Sequence, residues 1–233
     1  MRNVAIILVI LLSGCATRSP SGERVTDVPA SHDYILAVLL AGGRANEMDE
    51  TAVSEASIGH RAHIESMAAE GTLLLAAPFG DPRATESWRG LYVFDLSDVD
   101  EAYELAREDP SIVAGLFDLE LMPWRSDVDL RPLRTEIERG KAAGAPFVPA
   151  AYVLALGESG KHVDEVLHHL EEKDQLICAG ELGGEHEGQI LLLLTAETVE
   201  EARSWLGSDS SQVRWDLSSL WATELLGALA VGR

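Results

Sequence analysis

Two histidines, His60 and His63, stand three residues apart in a stretch whose apolar residues recur at helical spacing. His60, His63, Ile64, Met67 and Ala68 follow the i, i+3, i+4, i+7, i+8 pattern and share one helix face. A histidine on that face is turned toward the protein rather than toward water. Burial lowers the proton affinity of an imidazole and a nearby carboxylate raises it, so a poised acid/base group can result. Asp109, at the end of a second helix and just before Pro110, is the natural carboxylate candidate; Asp81 is another. The plainer alternative is a buried His63 satisfied by a backbone carbonyl, with Asp109 merely ending its helix. Asp81-Pro82-Arg83 and Trp88-Arg89 occupy a long loop that could line a pocket mouth. His60, Arg61 and Asp81 are accordingly the expected binding residues, and His63 and Asp109 the expected acid/base pair.

Other clusters carry less. His60 and His63 have no obvious third partner, so no metal is expected there. Gly183-Gly184-Glu185-His186-Glu187-Gly188 reads as a solvated loop, and His168-His169 as a wet helix face. No serine sits in a nucleophile elbow and no phosphate-binding glycine loop follows a strand, so no cofactor is expected.

The elements that must position these residues lie in a chain of 233 residues, with 39 acidic against 18 basic side chains and a net charge of -21. That charge leaves no basic excess to neutralise phosphates, which excludes a nucleic-acid partner. Two cysteines, Cys15 and Cys178, exclude a disulfide scaffold. Cys178 lies in the apolar run 176–179 and reads as a small buried hydrophobe. The N-terminus starts with Arg2 and continues as the nine-residue apolar run VAIILVILL. Crossing a bilayer as a helix needs about 20 residues, so this run suits a signal peptide. Leu12-Ser13-Gly14-Cys15 follows and resembles a bacterial lipobox. Residues 1–15 are therefore expected to be a lipoprotein signal and 16–32 a flexible tether. Cys15 would be acylated, giving a lipid-anchored envelope protein with its body in the periplasm or at the cell surface.

From residue 34 onward the pattern runs strand, helix, strand, strand, helix, strand. The elements are 34–40, 58–70, 72–77, 91–95, 98–108 and 116–122. The same order returns at 152–156, 162–173, 176–179, 189–194, a helix from Thr198 and a strand at 220–226. Val99-Asp100-Glu101-Ala102 answers Val199-Glu200-Glu201-Ala202, and Asp109 answers Asp209, a period of about 100 residues. The expected organisation is a domain at 33–125, a linker at 126–149 with a short helix at 133–141, and a second domain at 150–229. The order β-α-β-β-α-β is the ferredoxin-like unit, an α+β fold with both helices on one sheet face. Two copies can cover each other's open faces by packing sheet to sheet.

The first copy resembles the YCII-related proteins. The resemblance rests on Gly59-His60-Arg61-Ala62-His63-Ile64, then Glu70-Gly71-Thr72 through Pro78-Phe79. It continues through Gly90-Leu91-Tyr92-Val93-Phe94, Glu108-Asp109-Pro110, Ala114-Gly115-Leu116 and Pro123-Trp124. Ala77 departs from the family's usual glycine, and the second copy keeps little beyond the pattern and Ala179-Gly180. The resemblance implies a dimeric α+β barrel, similar in shape to muconolactone isomerases, and a His–Asp pair for acid/base chemistry. By that likeness His63 would carry the proton and Asp109 would orient it. In the second copy Val163 and Val166 stand where His60 and His63 stand, so the folding unit does not require the histidines. The expected function is binding of a small molecule or partner without catalysis. The alternative is a lyase- or isomerase-type enzyme using the His–Asp pair.

Overall fold

A computed structural model of the protein describes residues 31–207 and 213–230. The expected signal, Cys15, nearly all of the tether, and Asp209 lie outside them.

Among the described residues, eight strands and six α-helices follow one another. The order is β1 (His32–Ala41), α1 (Glu50–Glu70), β2 (Leu73–Pro78), β3 (Trp88–Phe94), α2 (Val99–Arg107), α3 (Pro110–Val113) and β4 (Phe117–Ser126). It continues with α4 (Arg131–Ala142), β5 (Pro149–Glu158), α5 (Lys161–Glu171), β6 (Leu176–Leu182), β7 (Gln189–Leu194), α6 (Val199–Leu206) and β8 (Trp215–Thr223). The fold class is mixed α+β, with one antiparallel sheet in the order β2-β3-β1-β4-β6-β7-β5-β8.

Among the differences from the expectation, three have a physical reason in view. Helix α1 begins eight residues earlier than Ile58, because the Asp49 side chain accepts the Ala52 N–H and caps it. Helix α3 is an extra turn that starts at Pro110, where a missing N–H costs nothing. The last strand starts at Trp215 rather than Leu220, and the apolar residues after Thr223 form a 3-10 turn, Glu224–Ala230. Ser218 and Ser219 fit inside that strand because their polar groups meet the 80–84 loop. Ser218 Oγ accepts the Ala84 N–H, and the Ser219 N–H donates to the Pro82 carbonyl.

The sheet curls into a nearly closed barrel. Strands β4 and β6 pair over Trp124↔Leu182, Arg125↔Glu181 and Ser126↔Gly180. The opposite edges, β2 and β8, meet at a bridge between Phe79 and Leu220, helped by the Gly80 N–H on the Ser219 carbonyl. Gly180 has no Cβ for a reason, since one there would overlap the Trp124 indole and the Arg125 carbonyl. Along β1, Leu36 and Val38 face the barrel interior while Ile35, Ala37 and Leu39 face helices. Both faces are buried, so the strand is a continuous apolar run rather than an alternating one. The interior core joins Leu36, Val93 and Met122 from the first four strands to Leu154, Ile177, Leu193 and Leu220 from the last four. Cys178 is fully buried in it. Leu130 and Leu133 of the α4 region, with Leu226 and Ala230 from the terminal turn, plug one end.

A candidate active site around His60 and Asp109

Asp109 is fully buried, an unusual place for a carboxylate. The backbone explains how it gets there. Pro110 disfavours helical geometry at the residue before it, so α2 ends and Asp109 turns out at φ -57, ψ 124 to cap α3. Its Oδ1 accepts the Ser111 N–H at 2.8 Å and the Ser111 hydroxyl at 2.7 Å. Its Oδ2 accepts His60 Nδ1–H at 2.7 Å and the Tyr92 hydroxyl at 3.0 Å. Four donors occupy the four lone-pair positions of a carboxylate. Burial opposes the charge, yet the hydrogen bonds from His60 and Ser111 outweigh it and hold the carboxyl below the usual carboxylate range. Burial and then the charge of Asp109 push the Tyr92 phenol far above its usual range, so it stays a donor.

The four donors come from three elements. Tyr92 stands on the helix-facing side of β3, packed among Ile35, Ala37 and Phe94. Ser111 belongs to α3. His60 arrives on α1, which can come close because residue 59 is glycine. A Cβ there would lie 2.6 Å from Pro110 Cβ and 2.7 Å from Pro110 Cγ. The His60 ring also meets Phe117 edge-on at 5.4 Å and stacks near Tyr92 at 6.1 Å.

Because the carboxylate only accepts, the proton of neutral His60 sits on Nδ1. Nε2 has no hydrogen-bond partner among the described residues, and the His60 side chain keeps 18% of its surface exposed. A carboxylate-oriented imidazole with a free Nε2 can accept a proton from, or bind a donor on, a molecule placed against it.

The expected pairing of His63 with Asp109 is not made. His63 Nε2 donates to the Leu105 carbonyl at 3.0 Å, tying α1 to α2, which is the plainer alternative for a half-buried histidine. His60, expected as a binding residue, takes the carboxylate instead, and Asp109 is where the pair needs it. Arg61 is exposed and has no partner among the described residues. Asp81 is not part of the cluster: it pairs with Arg83 at 2.8 Å in the loop beside β8. His186, in the glycine-rich loop, lies 2.8 Å from Glu120 rather than free in solvent. No three His, Cys, Asp or Glu side chains converge as a metal site among the described residues.

Tyr92 and Ser111 were not singled out by sequence. Asp109-Pro110-Ser111 does carry a helix-start signal, a capping aspartate followed by proline at the first helical position. Tyr92 had no comparable signal, because both faces of β3 are buried and alternation does not mark its outward residue.

The fold and the cluster define a mixed α+β protein with a barrel-like antiparallel sheet and one buried, hydrogen-bonded His–Asp pair. Its residues 36–125, which contain the whole pair, match the family model of the YCII-related domain. Among solved structures, a candidate monooxygenase from Lactobacillus acidophilus NCFM aligns over 83% of this chain and 97% of its own, with 11% identity and a TM-score of 0.44. No curated protein matches the chain.

Proposed function

We propose that the protein is a lipid-anchored envelope protein whose body binds a small organic molecule at His60, without catalysis. The observation that carries the binding reading is the saturated carboxylate. Four donors fix Asp109, Asp109 fixes the His60 ring, and Nε2 is left as the unmatched polar atom. The strand orders β4-β1-β3-β2 and β8-β5-β7-β6 support two ferredoxin-like units joined as an intramolecular dimeric α+β barrel. The second unit is degenerate on this reading: Val163, the counterpart of His60, is buried in an ordinary apolar cluster with Val153, Leu170 and Leu192. That leaves one site, in the first unit. The partners are then the bilayer, through acylated Cys15, and one small ligand.

Two experiments test this. Changing Cys15 to Ser abolishes palmitate labelling and releases the protein into the soluble fraction; a variant that stays membrane-bound removes the anchor from the reading. For the site, ligand-observed NMR against a set of small cyclic acids and lactones compares wild type with His60→Val. Binding is lost in the variant, while His63→Val binds as wild type does. Equal binding by His60→Val would sink the assignment.

A second reading has its own support in the 2.7 Å His60–Asp109 contact: a lyase- or isomerase-type acid/base site with His60, not His63, as proton carrier. It predicts that a bound ligand with an acidic C–H exchanges it for deuterium in D₂O. The exchange is lost in His60→Gln. A ligand that binds but never exchanges leaves only the binding reading.

A further inference from the structure

At the end of the barrel where α4 packs beside β2 and the terminal turn, the C-terminal half of α4 leads into residues 145–148. Between α4, residues 145–148 and the turn at 223–225 runs a groove of about 330 Å³, within the usual size of a small-molecule site. Its floor is Ile137 and Leu225, both packed on the interior core. One wall is Phe147, which is 72% exposed, with Val148 beside it. A phenylalanine so open to water next to an apolar groove is a surface that association would cover.

The charges around the groove say what kind of molecule fits. Arg139 and Glu136 neutralise each other in an ion pair at 2.6 Å. Lys141 and Glu224 also line the groove, and neither makes an ion pair among the described residues, with each other or with any other group. A purely anionic molecule would meet Lys141 but be repelled by Glu224 and by the net charge of -21. A purely cationic one would meet Glu224 and leave Lys141 opposed. One unpaired charge of each sign, too far apart to pair directly, complements a head group that carries both.

We propose that this groove binds a single-chain amphiphile with a zwitterionic head. The alkyl chain lies along Ile137, Leu225 and Phe147, and the head spans Lys141 and Glu224. Burial of the chain supplies most of the affinity, since each methylene taken from water contributes. The charged pair supplies the choice of head. The site is independent of His60 and Asp109, and its occupant is a free, monomeric amphiphile.

The test uses the full chain carrying Cys15→Ser, which has no acyl group of its own to compete. Calorimetry measures binding of dodecylphosphocholine below its micelle concentration, with laurate and dodecyltrimethylammonium as singly charged controls. The zwitterion binds most tightly. Lys141→Ala and Glu224→Ala each weaken it by about tenfold, the scale of one charge-assisted contact. Phe147→Ser weakens all three amphiphiles, and every variant melts as the parent does. Equal affinity for the three head groups, no binding at all, or unchanged binding by Phe147→Ser would overturn the proposal. So would co-sedimentation with phosphatidylethanolamine vesicles in the absence of monomer binding, which would make Phe147 a membrane contact instead.

Discussion

Asp109 contributes to stability through its charge, and the sign of its pH dependence follows from its surroundings. Its proton affinity is lower in the folded chain than in the unfolded one, where an aspartate titrates near about 3.9. The ionised form therefore stabilises the fold above that pH, and the contribution is lost as pH falls through the lower folded value. Asp109→Asn removes the charge and presents one poorly matched amide to His60, Tyr92 and Ser111. The expected loss at pH 7 is about 2–4 kcal/mol, that of breaking a buried charged hydrogen-bond cluster. Urea unfolding at pH 7 and pH 3 measures it: the difference between wild type and variant shrinks at pH 3, and an undiminished difference contradicts the argument. The sequence already marks Asp109 as the carboxylate through the corner that Pro110 imposes. It does not choose between His60 and His63, which share one helix face three residues apart. That choice is made by what each ring meets, Asp109 from α3 for His60 and the Leu105 carbonyl from α2 for His63.

At the scale of elements, the site depends on how closely α1 approaches α3. Gly59 sets that approach. Alanine favours a helix interior by about 1 kcal/mol over glycine. Against it stands the rigid Pro110 ring, 2.6 Å from where the new Cβ would fall, and overpacking of this kind costs about 1–3 kcal/mol. The steric cost wins, so Gly59→Ala is expected to be net destabilising and to push His60 off Asp109. Thermal unfolding reads the first effect. A lengthened His60–Asp109 contact in a crystal structure of the variant reads the second. A variant more stable than wild type would mean that α3 moves freely, against the packing described. The glycine stands out in the sequence beside His60, but its role does not, because nothing local reveals that Pro110, fifty-one residues later, lies across from it.

At the scale of the whole molecule, each half has a core between its strands and helices, but the first and last four strands also share one interior, which neither half closes alone. Urea unfolding is therefore expected to be a single transition. Tryptophan fluorescence, which samples Trp88 and Trp124 in one half and Trp205, Trp215 and Trp221 in the other, should coincide with far-UV circular dichroism. Two separable transitions would show that the halves fold independently. The sequence by itself determined the elements, because helix and strand periods, caps and prolines act over a few residues. It also showed that a single ferredoxin-like unit leaves one sheet face open for the other copy to cover. Only the tertiary structure decided that β4 joins β6, that α4 and the terminal turn plug one end of the barrel, and that His60 rather than His63 holds Asp109. These are contacts between residues far apart in the chain. They depend on how closely whole elements approach, a distance set by packing and by absent side chains such as those of Gly59 and Gly180.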